Sequence, residues 1–295
     1  MHSSGDIPVE VGVLYVVATP IGHLDDIGMR AIAILRGVDI IAAEDTRHSS
    51  RLLAHIGAEQ AQLLSLHEHN ETGRTEMLLR ALQAGKRVAL VSDAGTPLVS
   101  DPGYRLVAAA HDAGIRVSPV PGPCAAIAAL SAAGLPSDRF LFEGFLPATA
   151  TARRARLDVL AAQPATLVFY EAPHRLLATL ADMNEVLGGN RPATLAREIT
   201  KTWETIRRGT LASLQEFALA DSDQQRGEIV LLVQGAAEER GATTLDETAL
   251  LKALAGEIPA TRAAKIAARL LGQPRRDLYR RLLELGAADG DGDQE

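Results

Sequence analysis

The stretch "VALVSDAGTPLVSDPG", Val88 to Gly103, opens as an apolar strand. It then places Asp93, Gly95, Thr96, Pro97, Asp101, Pro102 and Gly103 within eleven residues. In an open parallel sheet, ligands bind at the carboxyl ends of the strands, where loops lead into helices. The turn lacks the lysine of a phosphate loop and the ligand set of a metal site. The turn thus reads as the exit of a strand into a cleft of another kind. Asp101, Pro102 and Gly103 read as the start of the next helix, with Asp101 as its cap.

The same alternation repeats on either side. "GVLYVVATP" (Gly12–Pro20), "VDIIAAED" (Val38–Asp45), "LLSLHE" (Leu63–Glu68), "KRVALVSD" (Lys86–Asp93) and "IRVSPVP" (Ile115–Pro121) read as short strands. Helical patterns cover 27–36, 47–56, 72–84 and 103–113. Over residues 12–120 this predicts a mostly parallel α/β sheet with helices on both faces. Over 121–235, "RFLFEGFL", "ATLVFYEA", "ATLAREIT", "TWETIRRGT" and "GEIVLLVQG" alternate with helices near 123–133, 150–162, 173–187 and 211–219. The runs 193–199 and 203–209 are close enough for a hairpin, so the second sheet is expected to be mixed. Residues 236–245 read as a polar linker, 246–286 as three short helices of helix-turn-helix texture, and 287–295 as an acidic tail. Residues 1–11 read as a disordered tail without the apolar core of a signal peptide.

At 295 residues the chain is long for a single core. No apolar run reaches the ~18 residues of a membrane span. The single cysteine, Cys124, allows no internal disulfide, which fits a reducing cytoplasm. A net charge of −7 argues against a general nucleic-acid coat protein, yet seven basic residues and one acidic one fall between Pro259 and Leu283. Such a stretch is either a solvated helix face or a local seat for a polyanion.

Polar clusters gather at the predicted strand ends: "ATPIGHLDD" (Ala18–Asp26), "AEDTRHS" (Ala43–Ser49), "HEHNE" (His67–Glu71), the opening stretch, "PGPCAA" (Pro121–Ala126), "FYEAPHR" (Phe169–Arg175) and "REITKTWET" (Arg197–Thr205). Together they describe a cleft. Singly, each has a structural reading: Pro20 and Gly22 as a tight turn, Glu44, Asp45 and Arg47 as an ion pair with Thr46 capping a helix, and Pro173 to Arg175 as a helix start. His67 and His69 share one strand face, but no third metal ligand follows. The chain has no G-x-G-x-x-G, no G-x-x-x-x-G-K-[ST] and no G-x-S-x-G. Glycines with carboxylates and hydroxyls, but no phosphate loop, suit a ligand that is polar but not anionic.

Taken in order across 14–235, "LYVVATPIGHLDDI", "IIAAEDTRHSSRLL", "SLHEHNE", the opening stretch, "VPGPCAAIAALSAAGLPSDRFLFEGFLP", "FYEAPHR", "REITKTWET" and "GEIVLLVQG" resemble the tetrapyrrole methylase superfamily. Within it they look like the ribosomal RNA branch, RsmI, and residues 246–286 are similar to that branch's helical appendage. His23 and Ala172 stand where the family more often has Asn and Ser. The resemblance implies the two-domain class III methyltransferase fold, with S-adenosyl-L-methionine in a cleft between the domains, plus a small C-terminal all-α module. By motif matching the cofactor would be lined by Pro20, Gly22, Asp93, Gly95, Thr96, Val99, Cys124, Ala125 and Tyr170.

The implied reaction is 2′-O-methylation of a cytidine ribose in the decoding centre of 16S ribosomal RNA, at the family position cytidine 1402. It needs alignment of donor and acceptor, and a base for a weakly acidic hydroxyl. No metal is demanded. Candidates for the chemistry are Glu44, Asp45, Arg47, Glu171, His174 and Arg175, with Glu198 also on the rim. Arg197, Lys201, Arg275, Arg276, Arg280 and Arg281 would hold RNA, and Arg153, Arg154, Arg156, Arg207 and Arg208 would extend the track. With 3% aromatics, a folded RNA or assembled 30S subunit read by shape is the more natural substrate. A homodimer is implied by resemblance alone. The rival readings are a small-molecule or tetrapyrrole methylase, and a non-catalytic ribosome-binding factor on the same fold.

Overall fold

A computed structural model describes residues 8–67, 70–237 and 247–288. Residues 1–7, His69, most of the expected linker and the acidic end from 289 lie outside the described residues. The chain divides into two compact units, Met1–Ala236 and Ala237–Glu295.

The first unit holds two five-stranded sheets. One is wholly parallel: β1 (Val13–Val17), β2 (Ile40–Ala43), β3 (Gln62–Ser65), β4 (Val88–Val91) and β5 (Arg116–Val120), in the order β3-β2-β4-β1-β5. Every residue of β2 and β4 is buried. Their unbroken apolar runs follow from covering both faces. Ile41, Ala43, Ala89 and Val91 join one core, and Ile40, Ala42, Val88 and Leu90 the other. Ala43 pairs with Val91 and Val17 with Val120, so the loops after β1, β2, β4 and β5 leave at one edge.

The second sheet comprises β6 (Phe140–Phe145), β7 (Thr166–Glu171), β8 (Pro192–Arg197), β9 (Thr205–Thr210) and β10 (Ile229–Val233), in the order β6-β7-β10-β8-β9. Only β6 and β7 are parallel; the other three pairings, including the β8–β9 hairpin, are antiparallel. α5 (Ala125–Ala132) covers one face, with Ala126, Ala129 and Leu130 against Val168, Ala196, Val230 and Leu232.

Two helix caps differ from expectation. α2 (Thr46–His55) is capped by Asp45, whose carboxylate accepts from the Arg47 amide at 2.8 Å, and not by Thr46. α4 (Tyr104–Asp112) is not capped by Asp101. The carboxylate of Glu71, 7% exposed at the start of α3 (Glu71–Gln83), accepts from the amides of Gly103 and Arg105 at 3.2 and 3.0 Å. A charge from a distant turn satisfies the orphan amides in place of Asp101. The chain ahead of β1 is anchored too: Glu10 donates its amide to the Tyr15 hydroxyl (2.8 Å) and pairs with Arg116 (2.6 Å).

The second unit contains α9 (Glu247–Glu257), α10 (Ala260–Leu271) and α11 (Arg275–Ala288) around Leu251, Ala263, Ala264, Ala267, Leu278 and Leu282. Gly272, at φ 66°, ends α10 in the left-handed conformation that glycine adopts without strain. Glu247 ties α9 to Arg281 of α11 and to Gln273.

Candidate functional site

The loops leaving the parallel sheet meet the mixed sheet at a cavity of about 470 Å³. The loop after β4 forms its floor. The backbones of Thr19 and Gly95 exchange both hydrogen bonds, at 2.9 and 3.1 Å, tying the β1 exit to the β4 exit. Gly95 has φ 90°, a conformation that strains any side chain. Thr96 donates its hydroxyl to the Pro123 carbonyl at 2.9 Å, which binds the β5 exit to the same floor. Asp93 accepts from the Asp45 amide at 2.9 Å, joining the β2 and β4 exits.

Seven of the nine residues expected to hold the cofactor line this cavity: Asp93, Gly95, Thr96, Val99, Cys124, Ala125 and Tyr170. Pro20 and Gly22 do not; Ile21 between them does. Gly22 instead admits the loop after β8. A Cβ there would lie 2.6 Å from Thr200 Oγ1 and from Lys201 Cγ, and 3.0 Å from the Ile199 carbonyl. The His23 amide donates to Thr200 Oγ1 at 3.1 Å beside it. Gly22 is thus a clasp between the two sheets' loops.

The expected catalytic set is dispersed. Glu44 and Glu171 line the cavity. Asp45 and Arg47 lie outside it, paired at 3.2 Å, and hydrogen bonds from Arg47 hold the Asp45 carboxyl below the ordinary range. His174 is exposed and away from the lining. Glu171 is 3% exposed, with both oxygens engaged. One accepts from its neighbour Ala172's amide (2.8 Å) and faces Arg175 Nε (3.3 Å); the other accepts from the Thr179 hydroxyl (2.5 Å). Arg175 donates onward to the carbonyls of Leu146 and Pro147. This is a buried structural pair.

Several of the cations expected to hold RNA have partners within the protein. Arg197 is 7% exposed and spends its guanidinium on Gln224, Thr205 and the carbonyls of Trp203 and Arg226. Arg153 is buried against Asp182, which Arg154 also reaches at 2.6 Å. Arg156 pairs with Glu143, and Arg207 lies over the Phe217 ring. Lys201 pairs with Glu198 (3.0 Å) and with Glu228 (3.2 Å), a cavity residue. Arg275, Arg276, Arg280 and Arg281 are exposed on the second unit, Arg280 near Asp277 and Arg281 on Glu247. The His67 ring is hydrogen-bonded to Asn70. Among the described residues no three His, Cys, Asp or Glu are placed to hold a metal ion.

Residues not anticipated also line the cavity, among them Ile21, Phe145, Ile199, Gly227, Glu228 and Asp101. Burial, opposed by a hydrogen bond from Ser92 and reinforced by the Asp93 charge, pushes the Asp101 carboxyl up to about 6. Burial likewise raises the Tyr170 phenol, which therefore stays protonated, and its oxygen accepts from the Ala126 amide at the start of α5. Glu44, Asp93, Asp101, Glu171 and Glu228 all border the cavity, and among the described residues no Lys, Arg or His does.

Known proteins share this architecture. The family model for Tetrapyrrole (Corrin/Porphyrin) Methylases matches residues 13–215, and that for the RsmI C-terminal HTH domain matches 241–286. Ribosomal RNA small subunit methyltransferase I of Pseudomonas aeruginosa is 55% identical over 94% of this chain and 98% of its own length. Its counterpart from Escherichia coli O157:H7 is 52% identical over 96% and 98%. The chain belongs to the ribosomal RNA small subunit methyltransferase I family. Among solved structures, the methyltransferase CobJ superposes with a TM-score of 0.59 at 24% identity, over 78% of this chain and 96% of its own. A uroporphyrin-III C-methyltransferase from Thermus thermophilus, complexed with S-adenosylhomocysteine, superposes at 0.53 with 18% identity, over 75% and 96%. At those identities the likeness is one of fold: the two-sheet tetrapyrrole-methylase architecture, with a helical module added in this family.

Proposed function

We propose that this chain is a cytoplasmic S-adenosylmethionine-dependent methyltransferase acting on the ribose 2′-hydroxyl of a cytidine in 16S ribosomal RNA, the family's decoding-centre position. The observation that carries the reading is the acidic lining of the cavity: five carboxylates, two of them paired from behind by Arg175 and Lys201, and among the described residues no basic side chain in the lining itself. Such a lining favours a cationic guest and repels phosphate. S-adenosylmethionine supplies a methyl group already activated on a positively charged sulfur. The names of the relatives at 52–55% identity support ribosomal RNA as the acceptor.

The chain's own residues do the rest. Ile21, Val99, Ile199 and Val230 give the cavity an apolar wall that excludes water. The floor loop, braced by Thr19 and Pro123, presents Asp93 and Gly95 to the donor, while Cys124 and Ala125 present the first turn of α5. Phosphates would stay outside, met by exposed cations such as Arg47 and by Arg275 and Arg276 of the second unit. The same reading takes a second copy of the chain as partner, which sedimentation of the purified protein checks.

The test is incubation with methyl-labelled S-adenosylmethionine and small ribosomal subunits lacking the modification. Label is expected in the RNA, on one cytidine ribose. Donor binding without any label in RNA, on assembled subunits or free RNA, would sink the reading.

A further inference from the structure

Resting on the function proposed above, we infer that Phe145 is the surface on which the acceptor cytosine stacks while its ribose enters the cavity. Of the large apolar side chains exposed among the described residues, Phe145 alone lines the cavity. It is 56% exposed, at the carboxyl end of β6. A regular strand would not aim it there. Side chains alternate between the two faces of a strand, so Phe142 and Phe145, three apart, belong on opposite faces. In β6 the register slips: Phe142 pairs with Val168, Gly144 with Phe169 and Phe145 with Tyr170. Glu143 is therefore an extra residue, and Gly144 beside it turns through φ 65°. Such a bulge reverses the alternation and brings Phe145 to the face of Phe142, Val168 and Tyr170. A Cβ at residue 144 would lie 3.2 Å from Ser100 Oγ, so the bulge fits closely against the floor loop.

The ring is supported on one flank and left open elsewhere. Tyr170 meets it edge to face, with ring centroids 5.8 Å apart and planes at 65°. Tyr170 is itself packed against Phe142 at 5.0 Å and accepts the Ala126 amide, so the support is fixed from behind. More than half of Phe145 remains open to solvent beside the cavity. A donor held in the cavity gains by enclosure, whereas the acceptor arrives from solvent, and a ring on the exposed border serves the second. The acidic lining agrees with this. It repels the phosphates that flank a ribose, so the acceptor nucleotide is better held through its base. A single base splayed out of a folded RNA is received by an aromatic face, which serves any base because each has a π-surface. Exposure alone does not select the residue: Phe140, 44% exposed on the same strand, and Trp203, 72% exposed after β8, lie outside the lining.

The experiment compares the parent chain with three variants, after thermal melts confirm folding. Phe145→Leu keeps an apolar side chain but no aromatic face, Phe145→Tyr keeps the ring, and Phe140→Leu changes the same strand outside the lining. Calorimetric titration gives S-adenosylmethionine affinity, and single-turnover methylation is followed against the concentration of small subunits lacking the modification. With subunits below saturation, the Phe145→Leu rate should fall by about five- to hundredfold, the worth of one stacked base. Its donor affinity should stay within about twofold of the parent. Phe145→Tyr should recover most of the loss, and Phe140→Leu should methylate within about twofold of the parent. A second arm uses subunits reconstituted with an abasic ribose at the target nucleotide. The parent should lose rate on them, and the loss in Phe145→Leu should be smaller by about fivefold or more, because the contact is already gone. A Phe145→Leu rate equal to the parent's overturns the assignment, as do independent, additive losses on the abasic subunits. A donor affinity that falls as far as the rate overturns it too, and gives the ring to the donor's adenine. A parent that binds donor but never methylates RNA overturns instead the function on which the assignment rests.

Discussion

Gly22→Ala tests whether the cleft is closed by the clasp between the β1 exit and the loop after β8. A methyl group at residue 22 would meet Lys201 Cγ and Thr200 Oγ1 at 2.6 Å and the Ile199 carbonyl at 3.0 Å. Lys201 can swing aside only by disturbing its pairs with Glu198 and Glu228. Thr200 Oγ1 can retreat only by releasing the His23 amide, a hydrogen bond with a net worth of about 1 kcal/mol. The carbonyl belongs to a segment already strained, with Glu198 at φ 50° and Thr200 at φ 65°. Such overpacking costs about 1–3 kcal/mol. The displaced residue, Ile199, is cavity wall, so the effect should reach the donor. Calorimetric titration is expected to show S-adenosylmethionine binding weakened by about five- to hundredfold, each tenfold being about 1.4 kcal/mol. Affinity within twofold of the parent, with an unchanged melting temperature, would show that the loops do not act as a unit.

Other expectations follow from the same contacts. Thr96→Val removes the hydroxyl that holds the Pro123 carbonyl, and should weaken donor affinity by about 1 kcal/mol, roughly fivefold, by the same titration. Arg153→Ala leaves Asp182 under-compensated in the interior, since burial raises that carboxyl and only Arg154 and Arg153 bring it below the ordinary value. Breaking a buried pair costs about 3–5 kcal/mol, so denaturant melts should show a large loss, and the folded fraction should bind RNA normally. Asp101→Asn should stabilise the protein at pH 8. A carboxyl raised from 3.8 to about 6 contributes stability below pH 4 that is lost as pH rises through 6; with solvent screening the gain is about 1 kcal/mol at pH 8 and vanishes near pH 4. Arg275→Ala with Arg276→Ala should lower RNA affinity and reduce its salt slope by about two, with donor binding unchanged. A filter assay across salt concentrations reads this directly.

What was legible depended on whether a residue's partner is close in sequence. The strands of the parallel sheet were written in runs such as Val88–Val91, because burial on both faces demands apolar residues at every position. The β8–β9 hairpin showed in the short spacing of two apolar runs. Asp101 was misread because Asp-Pro-Gly is a local helix-start signal, while the residue that caps α4, Glu71, lies thirty positions earlier in a different loop. Arg153 and Arg197 read as surface cations, and nothing nearby in sequence announced Asp182 or the Trp203 carbonyl as buried partners. In the floor loop, the family resemblance pointed to Asp93, Gly95 and Thr96, and all three line the cavity. At Gly22 the same reasoning found the glycine but not its purpose, since the atoms that need the space belong to residues 199–201.

The cavity's charge raises a physical difficulty for the chemical step. A lining of carboxylates stabilises the donor before reaction, but the positive charge disappears as the methyl group leaves, so that attraction opposes the chemical step. The difficulty is reduced if one lining charge disappears at the same moment. A carboxylate that takes the proton does this: donor cation and carboxylate anion are neutralised together, and the change in field at Asp93 and Glu228 is small. The match is better for a carboxylate whose ionised form is already disfavoured, because less stabilisation is lost when it becomes neutral. The same logic helps turnover, since the spent donor carries no charge on sulfur and the cavity then holds it less tightly than the fresh donor.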